Sequence, residues 1–192
     1  RIHDFLLDES TAAIAMECVD GATLAQMRLQ NSSRVFEVNE IREWVRQALS
    51  ALAYAHGEGK VVHRDLKPSN LMVTSGGNLK ITDFGIARSL SDSVSRVSVR
   101  QPGATSGSPP YMSPQQIAGE MSLVSDDIYS LGATIYELLT GKPPFFSGDI
   151  YRQVQEVVPP SMTRRRSDLE SVGGPVDPAW EKAIAACLAK DP

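Results

Sequence analysis

The 192-residue chain is 42% hydrophobic and 22% charged, a balance that suits one globular domain, or one large lobe of a longer protein, with a sizeable core. Its formal net charge of −4, with no basic arm, speaks against a nucleic-acid-binding surface. With no run of about 18 apolar residues to span a bilayer, no signal peptide, and two widely spaced cysteines (Cys18 and Cys187) that read as free thiols, a cytoplasmic setting is expected.

IHDFLL and TAAIAMEC read as two short strands of a hairpin across the turn-like DES. VDGAT is a breaker, and a short helix is expected around Leu24–Leu29. From Asn39 to His56 the apolar residues Ile41, Trp44, Val45, Ala48, Leu49 and Leu52 recur at helical spacing, predicting one buried face closed by Gly57 and Gly59. KVVH, NLMV and NLKIT are expected as small strands framing polar loops. Ser89 to Ser108 lacks a period and reads as a long loop. Asp127–Thr140 is apolar almost all round, which predicts a core helix capped by Gly141 and stopped by Pro143 and Pro144. Helices near Asp149–Val157 and Pro178–Ala189 complete a mostly helical α+β pattern. The run Arg164–Arg166 reads as a solvated loop face, and His3 and His56 as surface or helix-end residues.

The chemistry concentrates in VVHRDLKPSNLMV, Val61 to Val73. Pro68 excludes a regular helix or central strand, so the segment is a loop. Asp65, Lys67 and Asn70 can place a base, a cation and an oxygen ligand around one point. Phosphoryl transfer asks for such a set: a carboxylate to orient the attacking hydroxyl, a fixed positive charge, and oxygen donors for Mg²⁺. Asp83, at the end of NLKIT, offers a second metal-binding oxygen.

HRDLKPSN (His63–Asn70), DFG (Asp83–Gly85), GSPPYMSPQ (Gly107–Gln115) and DDIYSLG (Asp126–Gly132) together resemble the eukaryotic-type (Hanks-type) serine/threonine protein kinases, in a style similar to bacterial ones. The resemblance implies a partial kinase domain: remaining upper-lobe strands at 1–16, a hinge at 17–22, and a lower lobe over 23–192 that stops before its last helix. It implies ATP and Mg²⁺ as cofactors and a protein substrate. Asp65 resembles the catalytic base, Lys67 the residue that contacts the transferring phosphate, and Asn70 and Asp83 the two metal ligands. Ser108 resembles the hydroxyl that links substrate loop to catalytic loop, and Asp127 the helix acid that ties down the catalytic-loop backbone. Glu17 and Val19 fall in the segment that offers backbone groups to adenine, with Met72 as the apolar floor under the base. His63 resembles a packing residue. Arg64 resembles the receiver of a loop phosphate, for which Ser98 and Thr105 are the regulatory candidates.

Three features depart from the family pattern. A glycine-rich phosphate loop, a strand lysine and its partner glutamate are not among these residues, so the chain alone is expected to be inactive and to need a missing N-terminal lobe. The usual Ala-Pro-Glu reads Ser113-Pro114-Gln115, which removes a buried ion pair. The small, proline-containing run before it leaves substrate preference open. A pseudokinase or docking module is the alternative, and retention of Asp65, Lys67, Asn70 and Asp83 speaks against it. A small-molecule phosphotransferase of related fold is disfavoured by the long loop before GSPPYMSP. Many proteins of this kind are cytosolic domains of longer membrane proteins, and the chain carries no membrane segment of its own.

Overall fold

The computed structural model describes residues 2–8, 12–84, 108–171 and 173–192. β1 (Ile2–Leu7) and β2 (Ala12–Met16) pair antiparallel, with Leu7 opposite Ala12. A second, three-stranded antiparallel sheet has the order β3 (Gly21–Thr23), β4 (Leu71–Thr74), β5 (Leu79–Ile81). Around it lie α1 (Leu24–Gln30), α2 (Val38–Gly57), the single turn α3 (Pro114–Ile117), α4 (Val124–Thr140), α5 (Ile150–Glu156), α6 (Met162–Asp168) and α7 (Pro178–Cys187). The helix-dominated α+β class matches expectation. Among the described residues, no helix is long and apolar enough to cross a membrane.

α4 is the axis of the core. Every residue from Tyr129 to Thr140 is buried, and Leu131, Ile135, Leu138 and Leu139 join Ile41, Leu52, Leu66 and Leu71 in one cluster. The helix begins three residues earlier than its apolar pattern suggested, because the Asp126 carboxylate accepts the Leu123 amide at 2.9 Å and holds the first turn. It ends where expected: Gly141 has φ +86° and its amide returns to the Glu137 carbonyl at 2.7 Å.

Gly132 is a packing residue. A Cβ there would lie 2.6 Å from the Cys187 Cβ on α7, so the glycine sets how closely α4 and α7 approach. Gly132→Ala is therefore expected to cost about 1–3 kcal/mol through overpacking, measured as a lower urea midpoint with an unchanged m-value. Cys187 faces this contact, and burial raises its thiol pKa. Both cysteines are free thiols, Cys18 exposed and Cys187 half-buried.

Several local expectations fail for tertiary reasons. VDGAT does not only break the chain: its Gly21–Thr23 form β3, registered against Thr74–Met72. Glycine permits the approach, since a Cβ on Gly21 would meet the Val73 carbonyl at 2.1 Å. KVVH forms no strand, because its backbone bonds elsewhere: the Val61 amide donates to Ala55 O at 2.9 Å and the His63 amide to Asp127 Oδ2 at 2.8 Å. On α2, Ile41, Ala48, Leu52 and Ala55 are buried, whereas Leu49 is exposed.

The arginine run is the largest correction. Arg164–Arg166 lie in α6, capped by Ser161, whose hydroxyl accepts the Arg164 amide at 3.2 Å. Arg166 is only 3% exposed. Its Nε donates to Leu139 O at 2.6 Å, one terminal nitrogen to Phe36 O at 2.9 Å, and the other to Gly174 O at 2.9 Å and Glu37 Oε1 at 3.1 Å. One guanidinium thus pins the end of α4, the entry to α2 and the chain after α6.

Candidate active site

The loop from His63 to Asn70 hangs between the end of α2 and β4, and α4 positions it. Asp127 on α4 is fully buried. Its Oδ2 accepts the His63 amide at 2.8 Å and its Oδ1 the Arg64 amide at 2.7 Å. The same Oδ2 lies 2.8 Å from His56 Nε2. His56 therefore stands at a helix end, as expected, but its side chain is engaged by a buried acid rather than free at the surface. His63 is fully buried, with Nε2 at 2.7 Å from Thr82 O and its ring edge-on to Phe84 at 4.7 Å between centroids. It packs, and its Nδ1 accepts the Asp65 amide at 3.3 Å.

Pro68 opens a single 3-10 turn, Pro68–Asn70, whose amide at Asn70 bonds to Lys67 O at 2.9 Å. This turn brings the polar residues together. Lys67 Nζ donates to Asp65 Oδ2 at 2.6 Å and to Ser108 Oγ at 2.8 Å. The Ser108 amide donates to Asp65 Oδ1 at 3.2 Å. Asn70 Nδ2 donates to Asp65 O at 2.8 Å and reaches Asp65 Oδ2 at 3.3 Å. A carboxylate gripped from three sides keeps one orientation, and it remains about one-third exposed toward solvent.

The predicted oxygen ligands stand beside it. Asn70 spends its amide nitrogen on Asp65, so among the described residues its oxygen keeps a single long contact, with Ser69 Oγ at 3.5 Å. The Thr82 amide donates to Asn70 O at 2.9 Å, which delivers Asp83 next to Asn70. Asp83 takes a left-handed backbone with φ +61°, and its carboxylate is exposed, with Thr82 Oγ1 at 3.4 Å. One amide oxygen and one carboxylate suit a hard cation such as Mg²⁺, which commonly takes one or two protein oxygens and completes its shell with phosphate and water. Among the described residues, no group of three or more His, Cys, Asp or Glu gathers as a separate metal site.

The remaining expected positions lie along the sheet. In β4, Leu71 and Val73 face the core while Met72 points to the other side, half-buried, opposite Thr23 on β3 and Lys80 on β5. Lys80 forms an ion pair with Glu17, and Val19 is half-buried just before β3. The ion pair holds the Glu17 carboxyl below the usual range. Arg64 has φ +74°, and among the described residues its buried Nε carries no hydrogen bond. Ser98 and Thr105 lie outside the described residues, as does most of the long loop before Ser108.

The segment after Ser108 is anchored from below. Ser130 Oγ donates to Tyr111 O at 2.7 Å, and the Tyr111 hydroxyl donates to the buried Glu137, which also pairs with Arg28 at 2.8 Å. Burial first, and the Glu137 charge second, push the Tyr111 phenol well above its ordinary value. Neither Glu137 nor Arg28 carried a sequence signal, because each reads as an ordinary charged helix residue. Gln115 forms no ion pair, in line with its lack of charge. Its amide donates to Lys190 O at 2.7 Å, while the Lys190 ammonium donates to Val154 O at 2.6 Å over the Phe145 and Tyr129 rings. Burial lowers the Lys190 pKa to about 8.

The family described as protein kinase domain matches residues 1–192. The chain is 38% identical over 184 residues to the serine/threonine-protein kinase PknB of Mycolicibacterium smegmatis, covering 93% of this chain and 27% of that protein. It is 38% identical over 188 residues to the probable serine/threonine-protein kinase PknB of Lactococcus lactis, covering 95% of this chain and 27% of that protein. With the serine/threonine-protein kinase pkn3 of Myxococcus xanthus it shares 38% identity over 195 residues, 96% of this chain and 34% of that protein. The chain thus spans between a quarter and about a third of the length of these relatives. By a family match along its whole length and by identity to these bacterial proteins, the chain belongs to the protein kinase domain family, in its bacterial Hanks-type branch.

Proposed function

We propose that this chain is the catalytic part of a serine/threonine protein kinase, transferring the ATP γ-phosphate to Ser or Thr hydroxyls of proteins. The observation that carries the reading is the carboxylate of Asp65, held by Lys67, Ser108 and Asn70 at the mouth of the loop. Asp65 accepts a hydrogen bond from the incoming hydroxyl, orients its oxygen for attack and takes up its proton as the new O–P bond forms, while the bond from the γ-phosphorus to the bridging oxygen breaks and ADP leaves with that oxygen. Lys67 lies close enough to Asp65 to balance its charge and to meet a phosphoryl oxygen. Asn70 and Asp83 would hold Mg²⁺, which would supply positive charge to neutralise the phosphates. Ser108 ties the substrate-side segment to the catalytic loop, so that a peptide laid on that segment presents its hydroxyl to Asp65.

In this reading residues 23–192 form the lower lobe, 17–22 the hinge and 1–16 strands of the upper lobe. Met72 supports it by presenting an apolar side chain on the face of β4 away from the core, beside the 17–23 segment. Arg64 supports a regulatory role through a guanidinium with bonding capacity to spare among the described residues.

The test is phosphate transfer from labelled ATP with Mg²⁺ by the full-length protein, read as phosphoserine or phosphothreonine on protein. Because the 192 residues contain no glycine-rich loop or strand lysine, the chain by itself is expected to transfer far more slowly. Asp83→Asn is expected to lower kcat by at least about 10²-fold and to raise the Mg²⁺ concentration needed for half-maximal rate. Tight ATP binding with no transfer to protein by the wild type would instead favour a binding module.

A further inference from the structure

We propose that Gln116 is a positioning residue for the catalytic loop: its side-chain amide sets the peptide plane from which Asp65 projects. The proposal rests on the kinase reading for its kinetic consequence, but its geometry stands alone.

Arg64 sits in the left-handed region, φ +74°, which a non-glycine residue adopts only when its surroundings hold it there. Its amide is held by Asp127 Oδ1 at 2.7 Å. Its carbonyl accepts Gln116 Nε2 at 2.9 Å. That carbonyl and the Asp65 amide belong to one planar peptide, so fixing the oxygen fixes the plane that leads into Asp65. The opposite edge of the plane is held more loosely, by the Asp65 amide donating to His63 Nδ1 at 3.3 Å. Gln116 is therefore the shorter of the two restraints on this peptide.

Gln116 is itself held. Its Oε1 accepts the Ser113 amide at 3.0 Å, its own amide donates to Ser113 Oγ at 3.0 Å, and that hydroxyl donates to the buried Asp126. The acceptor side of the amide caps α3 and the donor side reaches Arg64. The partners decide this orientation, since a backbone N–H needs an oxygen and a carbonyl needs an N–H. The segment bearing Ser108 is thus joined to the catalytic loop twice, at Asp65 and Lys67 through Ser108, and at Arg64 through Gln116.

The two halves of the amide can be separated. Gln116→Glu keeps an oxygen for the Ser113 amide but cannot donate to Arg64, and it places negative charge against that carbonyl. In the full-length protein, Gln116→Glu is expected to unfold cooperatively at a temperature slightly below that of the wild type and to keep the KM for ATP. Its kcat is expected to fall by about 10–100-fold, the scale of a misplaced catalytic group. Hydrogen exchange at the Arg64 and Asp65 amides is expected to accelerate. Should Gln116→Glu unfold early, Gln116→Met, uncharged and of similar length, is measured in the same way. Wild-type kcat together with wild-type exchange at residues 64 and 65, in whichever variant folds, would overturn the proposal. If the wild type itself transfers no phosphate, the kinase reading fails separately, and the exchange measurement alone decides the role of Gln116.

Discussion

Asp65→Asn is expected to lower kcat for phosphate transfer by on the order of 10³-fold while leaving the thermal midpoint nearly unchanged. The amide keeps an oxygen that can accept the Ser108 amide, now bonded to Oδ1 at 3.2 Å. Lys67 loses its partner at 2.6 Å but retains the Ser108 hydroxyl at 2.8 Å. Both charged side chains are a quarter to a third exposed, so water compensates most of the lost ion pair. What disappears is the capacity to take a proton from the substrate hydroxyl, because a carboxamide is not a base in water. The measurement is kcat and KM for ATP and for a serine peptide, alongside calorimetry of the same preparations. A variant that kept wild-type kcat would remove Asp65 from the mechanism.

Arg166→Met is expected to destabilise the fold by about 3–5 kcal/mol, the largest stability effect of any substitution discussed. The ion pair with Glu37 contributes little of this, since the Glu37 side chain is 53% exposed and its charge is readily hydrated once the arginine is gone. The cost comes from the carbonyls of Leu139, Phe36 and Gly174, which lose the donor that now satisfies them. Arg166→Lys is expected to recover only part of the loss, because one ammonium cannot reach three carbonyls that a planar fork meets together. Urea unfolding of the three proteins checks the order wild type, then Lys, then Met.

The two substitutions also separate what is local from what is not. Asp65, Lys67 and Asn70 lie within six positions, and Pro68 between them rules out helix and central strand. A loop so short has few ways to fold, and the side chains come together, as the distances show. α4 was legible for a similar reason: a helix apolar on all sides has no stable place except the core. The pairing of residues 2–7 with 12–16 followed from two apolar runs separated by a turn signal in the sequence.

What the sequence did not show shares a cause. His56 stands at a helix end, as read, yet its partner Asp127 is 71 positions away. Gln116 carried no signal in the sequence, and the carbonyl it holds is 52 positions earlier. Arg166 looked like one charge in a solvated run, and it bonds across 129 positions to Glu37. Lys60–His63 had strand composition but lost its ladder to bonds with α2 and Asp127. By itself the sequence determined the residue types of the His63–Asn70 loop, their spacing, the buried helix beneath them and the family they indicate. Only the tertiary structure decided which polar groups support that loop. A hydrogen bond between distant segments needs one donor and one acceptor at the right place, and leaves no periodicity along the chain.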